Sequence, residues 1–126
     1  MEHSPGFLRI AEEARSKVRE IAVAEAVAAV KNGSARLLDV REDSEWLAGH
    51  AEGAHHLSKG IIERDIEKLV PIKDESLILY CGGGYRSALA ADAIQKMGYT
   101  NVRSMAGGWR AWNELGAPIE ESDHHD

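Results

Sequence analysis

One stretch constrains this chain more than any other. Leu77-Ile78-Leu79-Tyr80 is a short apolar run that reads as a buried strand. Ser87 to Met97 follows, with Ala88, Leu89, Ala91, Ala93, Ile94 and Met97 as helix-forming and core residues, and Gly98 closes it. Asn101 to Met105 is a second, weaker strand. Strand, helix and strand in immediate succession make a βαβ unit, which requires a parallel sheet. A parallel sheet must be covered by helices on its faces, so the fold class is α/β.

The rest of the chain fits that plan. Arg36 to Val40 reads as another buried strand, and Glu45 to Gly49, Ile61 to Leu69 and Trp109 to Leu115 as helices. Near the start, Phe7, Ile10, Ala11, Ala14, Val18 and Ile21 fall on one helical face, which predicts an N-terminal helix before Glu20. Ser4 and Pro5 supply its N-cap and first-turn proline. Ala24 to Lys31 is a further helix that ends at Asn32-Gly33. The 126 residues suit one domain, with no repeat and no linker. The polar stretch from Glu120 to Asp126 is expected to fray.

Composition removes several function classes. Fifteen Lys and Arg face 21 Asp and Glu, a net charge of −6, with no basic stripe for nucleic acid. No apolar run is long enough to cross a membrane. The first residues lack the pattern of a secretory signal, so a cytoplasmic setting is expected. With one cysteine there is no intramolecular disulfide and no thiolate metal cluster. His124-His125 lie in the polar tail. His55 and His56 are adjacent, and adjacent side chains on a strand point to opposite faces, so no metal site is expected. His50 reads as a turn residue with a structural hydrogen bond.

That one cysteine, Cys81, closes the central strand, and Gly82-Gly83-Gly84-Tyr85-Arg86-Ser87 follows it into the helix. In open α/β sheets, sites form beyond the carboxyl ends of strands. Successive glycines allow a tight loop whose N–H groups turn inward as an anion nest. The helix N-terminus adds roughly half a positive charge. Arg86 adds a permanent one, and no acidic side chain occurs between Tyr80 and Ala91. All three favour a reactive thiolate over an inert buried thiol. Cys81 is therefore the candidate nucleophile. Gly82, Gly83, Gly84, Tyr85, Arg86 and Ser87 are the candidate substrate-binding residues.

Three ordered segments resemble the rhodanese family of sulfurtransferases from about Glu20 to Pro118. The first is Leu38-Asp39-Val40-Arg41-Glu42 with Glu45-Trp46, Gly49-His50 and Gly53-Ala54-His55. The second is the Cys81 loop. The third is Met105-Ala106-Gly107-Gly108-Trp109-Arg110-Ala111-Trp112. Leu57-Ser58 and Ala51 depart from the family pattern at scaffold positions. The resemblance implies a rhodanese-like domain over residues 20–118, preceded by a helical extension over 1–19 and followed by a polar tail over 119–126. It implies a sulfurtransferase that needs no cofactor and no metal. Sulfur would pass from a small anionic donor such as thiosulfate, through a Cys81 persulfide, to a thiol, cyanide or protein acceptor.

Arsenate reductases and cell-cycle phosphatases share that fold, with five residues between cysteine and arginine. Here four residues, Gly82 to Tyr85, separate Cys81 from Arg86. The tighter ring suits one sulfur atom better than a tetrahedral oxyanion. A non-catalytic binding module is the third reading, and the presence of Cys81 argues against it. Arg41 is a candidate for adding positive field at the site, or for bracing a strand-end turn with Asp39. Tyr85 is expected at the pocket mouth, and Tyr80, Trp109 and Trp112 in the packing. The oligomeric state and the physiological donor and acceptor stay open.

Overall fold

The computed structural model describes residues 3–121. His124 and His125 therefore lie outside the described residues. The chain runs α1 (Pro5–Arg15), β1 (Arg19–Ile21), α2 (Val23–Lys31), β2 (Arg36–Asp39), α3 (Asp43–Ala48), β3 (His50–Ala51) and β4 (His55–His56). A 3-10 turn (Lys59–Ile61) leads into α4 (Ile62–Leu69). Then come β5 (Leu77–Tyr80), α5 (Tyr85–Gln95), β6 (Val102–Met105), α6 (Gly108–Leu115) and β7 (Ile119–Glu120).

Five strands form one parallel sheet in the order β1-β6-β5-β2-β4. β5 is its middle strand, and its side chains alternate between two cores. Leu77, Leu79 and Cys81 face α4 and α5, packed with Ile62, Ile66, Ala90, Ala91 and Ile94. Ile78 and Tyr80 face the other way, with Ala26 of α2 and Trp112 of α6. Every residue of β5 is fully buried, which explains why the strand reads as a continuous apolar run.

The N-terminal segment differs from its sequence pattern. The helix begins as expected, with the Ser4 hydroxyl accepting from the Phe7 N–H at 3.3 Å and Pro5 in the first turn. It stops at Arg15, where the Ser16 hydroxyl bonds back to the Glu13 carbonyl at 2.6 Å. Arg19 to Ile21 then pairs with Arg103 to Met105 as the outer strand β1. Val18 and Ile21 thus continue the helical spacing without belonging to the helix. A three-residue edge strand is held by its ladder partner, and that leaves no period in its own sequence. Near the other end, Ile119 and Glu120 pair antiparallel with Ala51 and His50, so Glu120 belongs to a strand and not to a frayed tail.

Among the described residues, no helix is long and apolar enough to cross a membrane.

Candidate active site at Cys81

Cys81 follows β5 directly and is 1% exposed. Its Sγ accepts hydrogen bonds from the Gly84 N–H at 3.1 Å and the Ser87 N–H at 3.3 Å. The Ser87 hydroxyl lies 3.5 Å from the sulfur and 2.8 Å from the Ser104 hydroxyl of β6. These donors are at hand because the first amides of α5 have no partner inside the helix. Gly84, the residue before α5, has φ +111°, a backbone turn that glycine adopts without steric cost.

A second helix N-terminus holds the loop from below. At the start of α6, the Trp109 N–H donates to the Cys81 carbonyl at 2.6 Å and the Arg110 N–H to the Gly82 carbonyl at 3.2 Å. The loop carbonyls are thereby drawn to α6 while the Gly84 and Ser87 amides meet the sulfur. Gly108 makes this approach possible: a Cβ there would collide with the Cys81 carbonyl group.

Arg86 runs over Gly82, where an added Cβ would lie 3.0 Å from a guanidinium nitrogen. The guanidinium grips the carboxylate of Glu45, from α3, through bonds of 2.7 and 3.0 Å. Each partner shifts the other. The hydrogen bond from Arg86 holds the Glu45 carboxyl below its usual range, and the bond to Glu45 raises Arg86 further. The cation beside the loop is thus compensated, although no acidic residue is near it in sequence.

Arg41 stands elsewhere. Its guanidinium is 3% exposed and bonds Asp39 at 2.8–3.1 Å and the Gly49 carbonyl at 2.7 Å. The Tyr80 hydroxyl donates to the same Asp39 carboxylate at 2.6 Å and accepts from the Ala51 N–H at 3.0 Å. Burial, and then the Asp39 charge, push the Tyr80 phenol well above its ordinary value. Trp109 covers the Arg41 guanidinium, 4.6 Å from ring centroid to Cζ. Arg41 ties the β2 turn to its neighbours and does not line the cavity over Cys81. A buried guanidinium needs its carboxylate, and Asp39 takes it inward.

That cavity is about 880 Å³. Cys81, Gly82, Gly83, Tyr85 and Arg86 form its floor and one side, joined by Glu45 and Arg110. Phe7 comes from α1, and His3 and Ser4 from the segment just before it. Gly84 and Ser87 act from behind the sulfur. Sequence reasoning missed Glu45, Ser104, Arg110, His3 and Phe7. No signal in the local sequence pointed to His3 and Phe7, because His3 precedes the Ser4 N-cap of α1 and both reach Tyr85 only through the packing of α1 on α5. His50, expected to make a turn hydrogen bond, pairs Nδ1 with the Trp46 carbonyl at 3.0 Å.

Fold and site together define a parallel α/β domain with a cysteine cradled by backbone amides beyond its central strand. The rhodanese-like domain model matches residues 22–115, and the chain belongs to that family. The thiosulfate sulfurtransferase GlpE of Vibrio cholerae is 30% identical over 97 residues, covering 77% of this chain and 90% of that protein. A Schizosaccharomyces pombe protein bearing the name of a mitochondrial thiosulfate sulfurtransferase is 32% identical over 89 residues. That match takes in 62% of this chain and 63% of the relative, so the chain spans under two thirds of its length. Among solved structures, Rhodopseudomonas palustris protein RPA3614 superposes with a TM-score of 0.80 at 30% identity, covering 95% of this chain and 98% of that one. It is of unknown function and described as a possible tyrosine phosphatase.

Proposed function

We infer that the protein is a sulfurtransferase that carries sulfane sulfur as a persulfide on Cys81. The observation that carries this reading is the pair of amides, Gly84 and Ser87, bonded to Sγ itself. They aim two donors at the atom that attacks and carries the negative charge during sulfur transfer. Ser87 Oγ stands where it can hold the thiol proton until the thiolate forms.

The thiolate attacks the outer sulfur of a small anionic donor such as thiosulfate. A bond forms between Cys81 Sγ and that sulfur, the donor's S–S bond breaks, and its electron pair leaves with sulfite. No proton moves in this step, so no general base is required. The outer sulfur of the resulting persulfide is anionic, and inward-turned loop amides stabilise such charge. An acceptor thiolate, a protein thiolate or cyanide then takes the outer sulfur and returns Cys81 to its resting form. No cofactor or metal enters this scheme. A lone free thiol suits a reducing compartment, in keeping with a cytoplasmic setting.

The phosphatase description of RPA3614 supplies the contrasting reading, an aryl phosphate as substrate. The four-residue spacing from Cys81 to Arg86 and the engagement of Arg86 by Glu45 favour sulfur over a tetrahedral oxyanion.

Mass spectrometry after incubation with thiosulfate tests the reading. The Cys81 peptide gains the mass of one sulfur atom, cyanide removes it as thiocyanate, and Cys81→Ser does neither. Hydrolysis of an aryl phosphate with no sulfur gain on Cys81 would establish the other chemistry.

A further inference from the structure

The family match begins at residue 22, yet α1 forms part of the site wall. α1 lies along α5, and Phe7 of α1 together with His3, just before its N-cap, brings two aromatic rings against Tyr85. The His3 and Phe7 ring centroids are 5.1 Å apart. Tyr85 meets His3 edge-on at 5.1 Å and Phe7 edge-on at 6.1 Å. The Arg15 guanidinium lies 5.6 Å from the Tyr85 ring centroid. The loop amides on one side and this aromatic cluster on the other enclose space of quite different character.

A small inorganic anion has no use for such a wall. Thiosulfate is recognised by N–H groups and cations, and its charged oxygens lose hydration against aromatic carbon. An aryl or other apolar group gains from the same contact. The cavity of about 880 Å³ also falls in the range of sites that enclose organic ligands. Arg110 lines it too and makes no ion pair among the described residues, leaving a cation for the charged end of a donor.

We propose that α1 makes this a site for organic sulfur donors, carrying an aryl or similar apolar group beside the sulfane sulfur, with Phe7 and Tyr85 as specificity-determining side chains. The inference rests on the sulfurtransferase reading of Cys81. With an arenethiosulfonate the step balances as follows. The Cys81 thiolate bonds to the terminal sulfur, the bond between the two donor sulfurs breaks, and the electron pair leaves on the arenesulfinate. Cys81 is left as the persulfide anion, and no outside oxidant or reductant is needed.

The test compares benzenethiosulfonate with thiosulfate, using cyanide as acceptor, in the full chain and in Phe7→Ala. Comparing variant with parent for each donor cancels the donors' intrinsic reactivities. Phe7→Ala lowers kcat/KM for benzenethiosulfonate about tenfold, the scale of one lost aromatic contact, and changes that for thiosulfate less than twofold. Equal losses for both donors, or none for either, overturn the proposal. His3→Ala, at an exposed residue, is made in parallel so that a folding defect of the first variant does not decide the outcome. It is expected to show the same donor-selective loss in smaller degree.

A second readout needs no sulfur transfer. Benzenesulfonate protects Cys81 from iodoacetamide at lower concentration than methanesulfonate does, and Phe7→Ala removes the difference. Equal protection by the two sulfonates defeats the aromatic wall even where both donors load Cys81. Aryl-selective protection with no loading from any donor upholds the wall and defeats the sulfurtransferase reading.

Discussion

Arg86, five positions after the cysteine in sequence, clasps Glu45 from another helix through two bonds of 2.7 and 3.0 Å. The pair turns what sequence presents as a free cation beside Cys81 into a nearly neutral clamp over the loop. The donors that reach the sulfur itself are the amides of Gly84 and Ser87. The clamp also joins the helix that follows the loop to α3.

Glu45→Gln should release the charge of Arg86. Anionic iodoacetate then alkylates Cys81 severalfold faster relative to neutral iodoacetamide than it does in the parent. An unchanged rate ratio would show that Arg86 exerts no field at the sulfur. The pair also has a pH signature. The Glu45 carboxyl is lowered from its ordinary 4.5 by the Arg86 hydrogen bond. Its stabilising contribution is therefore fully present above that value and is lost as pH falls through the lower, folded one. Urea midpoints of parent and Glu45→Gln should differ most near neutrality and converge in acid.

Gly108→Ala should be among the most damaging small substitutions. It places a side chain at φ +54° and drives Cβ into the Cys81 carbonyl. Backbone strain alone costs about 1–3 kcal/mol, and displacement of α6 disturbs the amides around the sulfur. Urea denaturation reads the first effect and persulfide loading the second. Gly83→Ala is the control: its Cβ meets nothing within 4 Å, and its stability should stay within about 0.5 kcal/mol of the parent.

Tyr80→Phe should lower stability by about 1–3 kcal/mol, the cost of unsatisfied buried polar groups. It removes the hydroxyl donor to Asp39 and leaves the Ala51 N–H without its acceptor. Equilibrium urea unfolding measures this. Loading of Cys81 at low denaturant should persist, because the network lies on the opposite face of the sheet from the sulfur.

Inserting one glycine after Gly83 should widen the ring around the sulfur. Loss of one donor to a transition-state charge costs about a hundred- to a thousandfold in rate, and thiosulfate turnover should fall on that scale. The wider ring has room for a tetrahedral oxyanion, so inhibition by phosphate or arsenate should appear. Parent-level turnover without oxyanion inhibition would show that loop length does not set specificity.

Much of the scaffold could be read from local pattern. The α5 segment, the buried run of β5 and the glycines around Cys81 carry their structure in adjacent residues. Helical period, apolar continuity and turn chemistry act over a few positions. Arg86 illustrates where that reading stops. Its own segment holds no acid, and its partner lies 41 positions away. Arg41 illustrates it differently: Asp39 is close in sequence, but burial of both under Trp109 is what withdraws the pair from the cavity.

By itself the sequence determined the α/β class, the place of Cys81 at the end of a central strand, and the glycine loop that turns amides toward it. Tertiary structure alone decided that Val18 and Ile21 leave the helix and β1 joins β6, that Glu45 neutralises Arg86, and that His3 and Phe7 stand over the site. The physical reason is range. Backbone conformation near the cysteine follows from what neighbouring residues sterically permit. Charge pairing, strand pairing at an edge and the walls of a cavity depend on groups that meet only once the sheet has formed and its helices have packed.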